Sequence, residues 1–202
     1  GKAIQQEIPG LKEVHALDAA GVHPLLLAIG SERYTPYTPT KQPAEILTIA
    51  NHILGTSQLS LAKFLFSTAD EDNSISTNNI EAYFQYILKR INLKRDIHFY
   101  TNTTIDTLDY SGDGLNSGSK VVLAAYGEPI RELTSSIPDC LHKLTAFENA
   151  KLVMPGIIAI QTMAFTDYET ASKEAETLNQ QLSTFNFQLS KLPLIIMCDN
   201  AD

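Results

Sequence analysis

A continuous apolar run, a helical segment and a second apolar run together form the feature that most constrains the fold of this chain. The runs are "PLLLAIG" at residues 24–30 and "KFLFSTAD" at residues 63–70. Between them, "PAEILTIANHIL" at residues 43–54 carries isoleucines at helical spacing, and its proline suits a first helical turn. Because strands buried on both faces lack alternation in polarity, the segment predicts two parallel strands joined by a helix through a right-handed crossover.

The same order of segments occurs a second time near the end of the sequence. Here "PGIIAIQ" at residues 155–161 precedes the amphipathic "YETASKEAETLNQQLSTF" at 168–185, and "LPLIIMCD" follows at 192–199. Two interpretations stay open: an internal structural repeat of two related β-α-β units, or the general similarity of any two such units. Under both, the chain is predicted to be an α/β protein with three α/β/α layers and a mostly parallel or mixed sheet.

The intervening segments predict further elements. Apolar residues at helical spacing in "STNNIEAYFQYILKRIN" favour a helix with Ser76 or Thr77 as its N-cap. The segments "DIHFYTN" and "KVVLAAYG" are typical of strands, and "PDCLHKLTAFENAK" at residues 138–151 is predicted to be a helix.

Composition and charge exclude several classes of function. Among 202 residues the formal net charge is −8 and no basic run occurs, whereas nucleic acids and anionic membranes attract clustered lysine and arginine. No apolar run approaches the roughly 20 residues of a membrane span, and the first ten residues lack the apolar region of a signal peptide. Cys140 and Cys198 have no metal-ligand spacing, so two reduced cysteines in a cytoplasmic protein are expected.

The two ends of the sequence favour a piece of a longer protein. The chain begins with glycine in place of methionine. It stops just after the last predicted strand, whereas the first β-α-β unit continues into another helix. The second unit is therefore expected to be truncated at its C-terminal side.

An acidic cluster, "ADEDN" at residues 69–73, follows the second predicted strand. Ligands of open α/β sheets bind at the carboxyl ends of strands, and carboxylates there can hold Mg²⁺, with Asp70 and Asp72 as ligands. The alternative is a solvated loop whose carboxylates suit the N-terminus of the following helix. The loop interpretation is favoured, because no lysine or threonine motif of a nucleotide site accompanies the cluster.

A glycine-rich segment, "YSGDGLNSGSK" at residues 110–120, resembles a phosphate-binding loop in composition. It does not fit a Walker A motif, because Lys120 is displaced by one position and a strand-like "VVLAA" follows where a helix is required. Ser119 and Lys120 could still donate hydrogen bonds to a phosphate. On composition alone, a flexible connection with Lys120 in solvent is the favoured interpretation.

The order of five landmarks resembles the C-terminal domain of the UbiD-type decarboxylases, which are carboxy-lyases acting on 3-polyprenyl-4-hydroxybenzoate and related acids. The resemblance covers residues 5–128. The landmarks are "IPGLKEVHALDAAGVHPLLLAIG", "AKFLFSTADEDN", the pair Arg95-Asp96, "TTIDTLDY" and the triplet Gly118-Ser119-Lys120. The chain departs from the family at Ala124, Ala125 and Tyr126, where many relatives carry Asp-Ala-Thr.

The resemblance implies a prenylated flavin mononucleotide cofactor, with Mn²⁺ and K⁺ near its phosphate. It implies that the catalytic residues and metal ligands lie in an upstream flavin-binding domain of the same chain. By motif position, Lys120, with Ser119 beside it, would contact the flavin phosphate. This chain on its own is expected to bind no cofactor and to have no turnover.

The resemblance also implies an organisation and a set of partners. Residues 1–128 would form the UbiD-like domain, and residues 129–202 an additional β-α-β block packed on it. The domain would support homo-oligomerisation and one wall of the cleft for a small aromatic acid, in quinone biosynthesis. A prenylated substrate would bring the enzyme close to a membrane surface. The rival hypotheses are a stand-alone binding or interaction module and a Mg²⁺ site at Asp70 and Asp72.

Overall fold

The computed structural model describes residues 7–17, 24–34, 37–112, 114–144, 147, 149–184 and 189–199. The chain divides into two compact units, Gly1–Ile130 and Arg131–Asp202. The packing of the second block on the first stays a prediction.

The first unit is built on a five-stranded sheet. Its described strands and helices are β1 (Glu13–Ala16), β2 (Leu25–Gly30), α1 (Glu45–Leu54), β3 (Phe64–Ala69), α2 (Ile80–Arg90), β4 (Ile97–Thr104) and β5 (Ser117–Ala125), with a 3-10 helix at Ser57–Leu61. The strand order is β1-β2-β3-β5-β4. The three central strands are parallel, and each edge strand is antiparallel to its neighbour. The sheet is therefore mixed, as the sequence predicted.

Helix α1 covers one face of this sheet. Its apolar side, with Ile46, Ile49 and Ile53, joins Leu26 and Leu65 of the central strands in one buried cluster. Leu26 and Leu65 are partners in the register of β2 and β3. Because each fully buried aliphatic side chain is worth about 1.5–3 kcal/mol, this face contributes much of the stability of the unit.

Helix α2 covers the opposite face. The ring of Phe84 meets that of Phe66 edge-on at 5.0 Å between centroids. The hydroxyl of buried Tyr83 donates to the carbonyl of Phe66 at 2.7 Å, which ties the helix to the sheet backbone. With α1 on one side and α2 on the other, the first unit has the three layers that the sequence predicted.

The N-cap of α2 differs from the prediction. Asn79 is the N-cap, and its side chain accepts a hydrogen bond from the Ala82 amide at 3.2 Å. Ser76 and Thr77, which the sequence favoured, instead donate to the Glu13 carboxylate in strand β1, at 2.9 Å from the Ser76 hydroxyl and 2.8 Å from the Thr77 amide. The prediction was wrong because α2 begins at Ile80, so Asn79 stands at the capping position and Ser76 and Thr77 precede it.

The second unit contains a three-stranded sheet of order β6-β7-β8. Its described elements are a 3-10 helix at Asp139–Lys143, β6 (Asn149–Met154), β7 (Ile157–Gln161), α3 (Tyr168–Ser183) and β8 (Leu194–Cys198). Strands β7 and β8 are parallel, and α3 packs Leu178 against Ile158 and Ile160.

The helix predicted over residues 138–151 is wrong. Among the described residues of this range the helical part is the 3-10 helix at Asp139–Lys143, and β6 begins at Asn149. In β6, alternate residues Ala150 and Leu152 pack against the apolar core of the unit, which is the period of a strand. Packing against the core of the unit therefore favours a strand here over the predicted helix.

Both units share a connectivity that is longer than the predicted β-α-β. In each, an antiparallel strand precedes the β-α-β, giving β1-β2-α1-β3 and β6-β7-α3-β8. The two β-α-β units that the sequence predicted are both present, with parallel strands. No helix within the described ranges combines the length and the apolar character needed to cross a membrane.

Candidate functional site

The carboxyl ends of β2, β3 and β5 bring together the polar residues that follow these strands. They are Ser31 and Glu32 after β2, Asp70 and Glu71 after β3, and Tyr126 after β5. In open α/β sheets this edge is where ligands bind, so the candidate site is built here.

Two glutamates fix the loop between β2 and α1. Glu32 accepts hydrogen bonds from the amides of Ala44 and Ile46, at 2.6 and 2.9 Å, and so caps the N-terminus of α1 from a distance. The Glu45 carboxylate accepts from the Ser31 hydroxyl at 3.1 Å and from the Arg33 amide at 2.6 Å. These carboxylates are occupied structurally and hold one wall of the site.

Glu71 links the tips of β2 and β3. Its carboxylate accepts from the amide of Glu32 and from Nε of Arg33, both at 2.9 Å, and Lys12 Nζ lies 3.9 Å away. Burial raises the pKa of Glu71, but these hydrogen bonds and the charges of Lys12 and Arg33 outweigh it, so the pKa lies below its ordinary value. Glu71 is therefore held as an anion within an ion-pair network.

The structure gives Asp70 a role in the turn that follows β3. Asp70 is buried, and its two carboxylate oxygens accept from the Ser74 hydroxyl at 3.1 Å and from the Ile75 amide at 2.8 Å. Asp72 is exposed. Across the residues that the structure describes, no group of three or more His, Cys, Asp or Glu side chains could hold a metal ion. The Mg²⁺ hypothesis for Asp70 and Asp72 stays a prediction, and the role of Asp70 in this turn competes with it.

Lys120 lies on β5 with its side chain buried. Only 5% of the residue is exposed, and its ammonium donates to the carbonyl of Ser60 in the 3-10 helix after α1. Burial lowers the pKa of Lys120. The lysine is thus enclosed and hydrogen-bonded, unlike the solvated lysine that composition alone favoured.

Ser119 is exposed, whereas Lys120 is buried. Successive side chains of a strand point to opposite faces, so the two side chains lie on different faces of β5. A contact of Lys120 or Ser119 with a flavin phosphate stays a prediction.

Two of the three glycines in the segment at residues 110–120, Gly112 and Gly118, serve close packing. A Cβ on Gly112 would lie 2.1 Å from the Ser117 carbonyl oxygen, and one on Gly118 would lie 2.9 Å from Cδ1 of Ile105. Lys63, the residue before β3, binds Asp109 at 3.0 Å and anchors the segment. The close approach of the backbone therefore accounts for Gly112 and Gly118 without a ligand.

A basic cavity near the ends of β5 and α2 was missed by the sequence reasoning. Its volume is about 340 Å³, and its charged lining consists of Lys41, Arg90, Arg95 and Glu128. Tyr126 lines this cavity and also a neighbouring one of about 230 Å³. Of the four charged residues, Arg95 alone is named from the sequence, as half of a family landmark, because residues so distant in sequence give no local pattern.

Comparison with known proteins supports the resemblance. The family model described as the 3-octaprenyl-4-hydroxybenzoate carboxy-lyase C-terminal domain matches residues 1–125. A Chlamydia pneumoniae protein, named as one of the subunits of a 4-hydroxybenzoate decarboxylase, is 36% identical over 193 residues, which cover 96% of this chain and 29% of that protein. An uncharacterized protein of Chlamydia trachomatis is 40% identical over 126 residues, which cover 62% of this chain and 20% of that protein. The chain thus spans less than a third of the length of these relatives.

Solved structures show the same fold. The open form of the vanillic acid decarboxylase of Sedimentibacter hydroxybenzoicus matches with a TM-score of 0.50 and 17% identity, over 70% of this chain and 29% of that one. Its closed form matches with a TM-score of 0.50 and 14% identity, over 89% of this chain and 31% of that one. Because the family model covers more than half of the sequence, the chain belongs to the UbiD family through its C-terminal domain.

Proposed function

We propose that this chain is the C-terminal part of a UbiD-type decarboxylase that removes CO₂ non-oxidatively from 3-polyprenyl-4-hydroxybenzoate or a related aromatic acid in quinone biosynthesis. The match of the family model over residues 1–125 is the observation that carries the proposal. The Chlamydia pneumoniae relative, whose name is that of a 4-hydroxybenzoate decarboxylase, supports an aromatic acid as the substrate class.

The geometry favours a supporting role for this chain within the enzyme. The carboxylates at the strand tips are engaged in capping and ion pairing, as Glu32, Glu71 and Asp70 illustrate. Ser119 is exposed and Lys120 is buried in β5, and a contact of either residue with a flavin phosphate stays a prediction. We therefore assign the prenylated flavin, with its Mn²⁺ and K⁺, to the upstream domain. This chain would contribute oligomer contacts and one wall of the substrate cleft.

The proposal is tested with the whole protein loaded with prenylated flavin. CO₂ release is measured with 3-polyprenyl-4-hydroxybenzoate, 4-hydroxybenzoate and vanillate, using a non-aromatic carboxylic acid of similar size as the control. We expect release from at least one aromatic acid and none from the control. Release from none of the aromatic acids, while the flavin is bound, would contradict the proposed substrate class.

A further inference from the structure

We propose that the basic cavity lined by Lys41, Arg90 and Arg95 binds the oxyanion group, carboxylate or phosphate, of a small organic molecule. The cavity lies beyond the ends of β5 and α2, entirely within the first unit. The chain as a whole carries a net charge of −8. Three cationic side chains around one cavity therefore make the charge at this place positive in an otherwise acidic chain.

The first cation, Arg90, is held in place by two backbone carbonyls and an aromatic ring. Its Nε donates to the carbonyl of Gly127 and its Nη1 to that of Tyr86, each at 2.9 Å, and the guanidinium lies 3.5 Å from the centre of the Tyr86 ring. No hydrogen bond within the described ranges uses its Nη2. A positioned guanidinium with a spare donor is suited to an oxyanion.

The second cation, Arg95, is oriented by the fully buried Asp96. Its Nε and Nη2 both reach the carboxylate of Asp96, the latter at 3.1 Å. Asp96 in turn accepts from the Asn92 amide at 2.8 Å, which fixes the turn that carries both cavity residues. The charge of Arg95 is balanced by Asp96, so this residue contributes oriented donors more than net charge.

The third cation, Lys41, lies at the cavity because its backbone carbonyl packs closely against Gly127. Gly127 has a φ of 118°, and a Cβ there would lie 2.5 Å from the carbonyl oxygen of Lys41. The loop bearing Lys41 is therefore seated directly on the turn that binds Arg90. Lys41 has no carboxylate within ion-pair distance in the described residues, so its charge is available to a ligand.

The remaining walls indicate an organic ligand. Pro39, Ile130 and the ring of Tyr126 are apolar surfaces, and the volume of about 340 Å³ is within the range of small-molecule sites. Burial and the carboxylates of Glu71 and Glu32 raise the pKa of Tyr126, so its hydroxyl stays protonated and can donate. Glu128 would repel a second negative group on one side, which favours a single oxyanion on an apolar body.

The test is a titration of the purified 202-residue chain with inorganic phosphate and with butyrate, which carries a single carboxylate on an apolar chain, followed by calorimetry at an ionic strength held constant with chloride. We expect saturable binding of at least one anion. Phosphate alone would assign a phosphate-bearing ligand, butyrate alone a carboxylate-bearing one, and both a site for either. Lys41→Ala should weaken the binding about tenfold, because a charge-assisted hydrogen bond is lost.

Lys94→Ala is the matched control, since Lys94 is an exposed lysine of the same unit outside the cavity lining. Its affinity should stay within about twofold of the unaltered chain. No saturable binding in the millimolar range, or an equal loss in Lys41→Ala and Lys94→Ala, would overturn the proposal. Because the readout is binding to this chain, the result is independent of the decarboxylase assignment.

Discussion

Lys120 illustrates, at the scale of single residues, how a contact depends on the folded path of the chain. The motif order selected Lys120 and Ser119, but only the structure shows that Lys120 donates to the Ser60 carbonyl. Likewise, nothing local in the sequence indicates that Glu32 caps α1, because its partners Ala44 and Ile46 lie a loop away. Such contacts depend on the tertiary path of the chain, which periodicity does not encode.

Lys120 provides a test at this scale. Burial lowers its pKa, so the folded state disfavours the charged form. That cost is fully present below the folded pKa and disappears as the pH rises through the unfolded value near 10.5. Lys120→Met, which keeps the volume and removes the charge, should be more stable at pH 7 by about 1 kcal/mol despite the hydrogen bond lost at Ser60.

The measurement is the difference in the free energy of unfolding between Lys120→Met and the unaltered chain, from denaturant melts at several alkaline pH values. The difference should shrink as the pH approaches about 10.5, because the lysine then becomes neutral in both states. Lys94→Met, at an exposed position, is the control and should show no such trend. A pH-independent difference for Lys120→Met would argue against a buried ammonium.

At the scale of elements, continuous apolar runs were sufficient to predict the parallel strands, and helical spacing was sufficient to predict the helices that connect or follow them. Strands β2, β3, β7 and β8 and helices α1, α2 and α3 all form where the sequence placed them. The short antiparallel β1 and β6 were missed, because neither carries a long apolar run. Each becomes a strand by pairing with its neighbour, β1 with β2 and β6 with β7, and this pairing is not visible in the local sequence.

The turn that precedes β5 offers an element-scale prediction. A Cβ on Gly112 would meet the Ser117 carbonyl oxygen at 2.1 Å, whereas one on Gly114 would meet nothing within 4 Å. Gly112→Ala should therefore destabilise the chain by about 1–3 kcal/mol, since the backbone must move. Gly114→Ala should be neutral or slightly stabilising. Thermal melts of both variants check this, and equal melting temperatures would show that the turn is not closely packed.

At the scale of the whole molecule, the sequence predicted the family from the order of its landmarks, and the match of the family model confirms it. The cavity of Lys41, Arg90 and Arg95 was not predictable, because three separate loops and helix ends form it. The chain spans 29% of the Chlamydia pneumoniae relative, so its proposed activity belongs to a larger protein. The carboxylates at its strand ends already accept hydrogen bonds from the chain itself. A structural role beside a separate catalytic domain suits such a domain.

The most direct test of the central claim is CO₂ release measured side by side from the whole protein and from this 202-residue chain alone, each incubated with prenylated flavin and an aromatic acid. We expect release by the whole protein and none by the isolated chain, because the catalytic groups are assigned to the upstream domain. Turnover by the isolated chain would contradict that assignment.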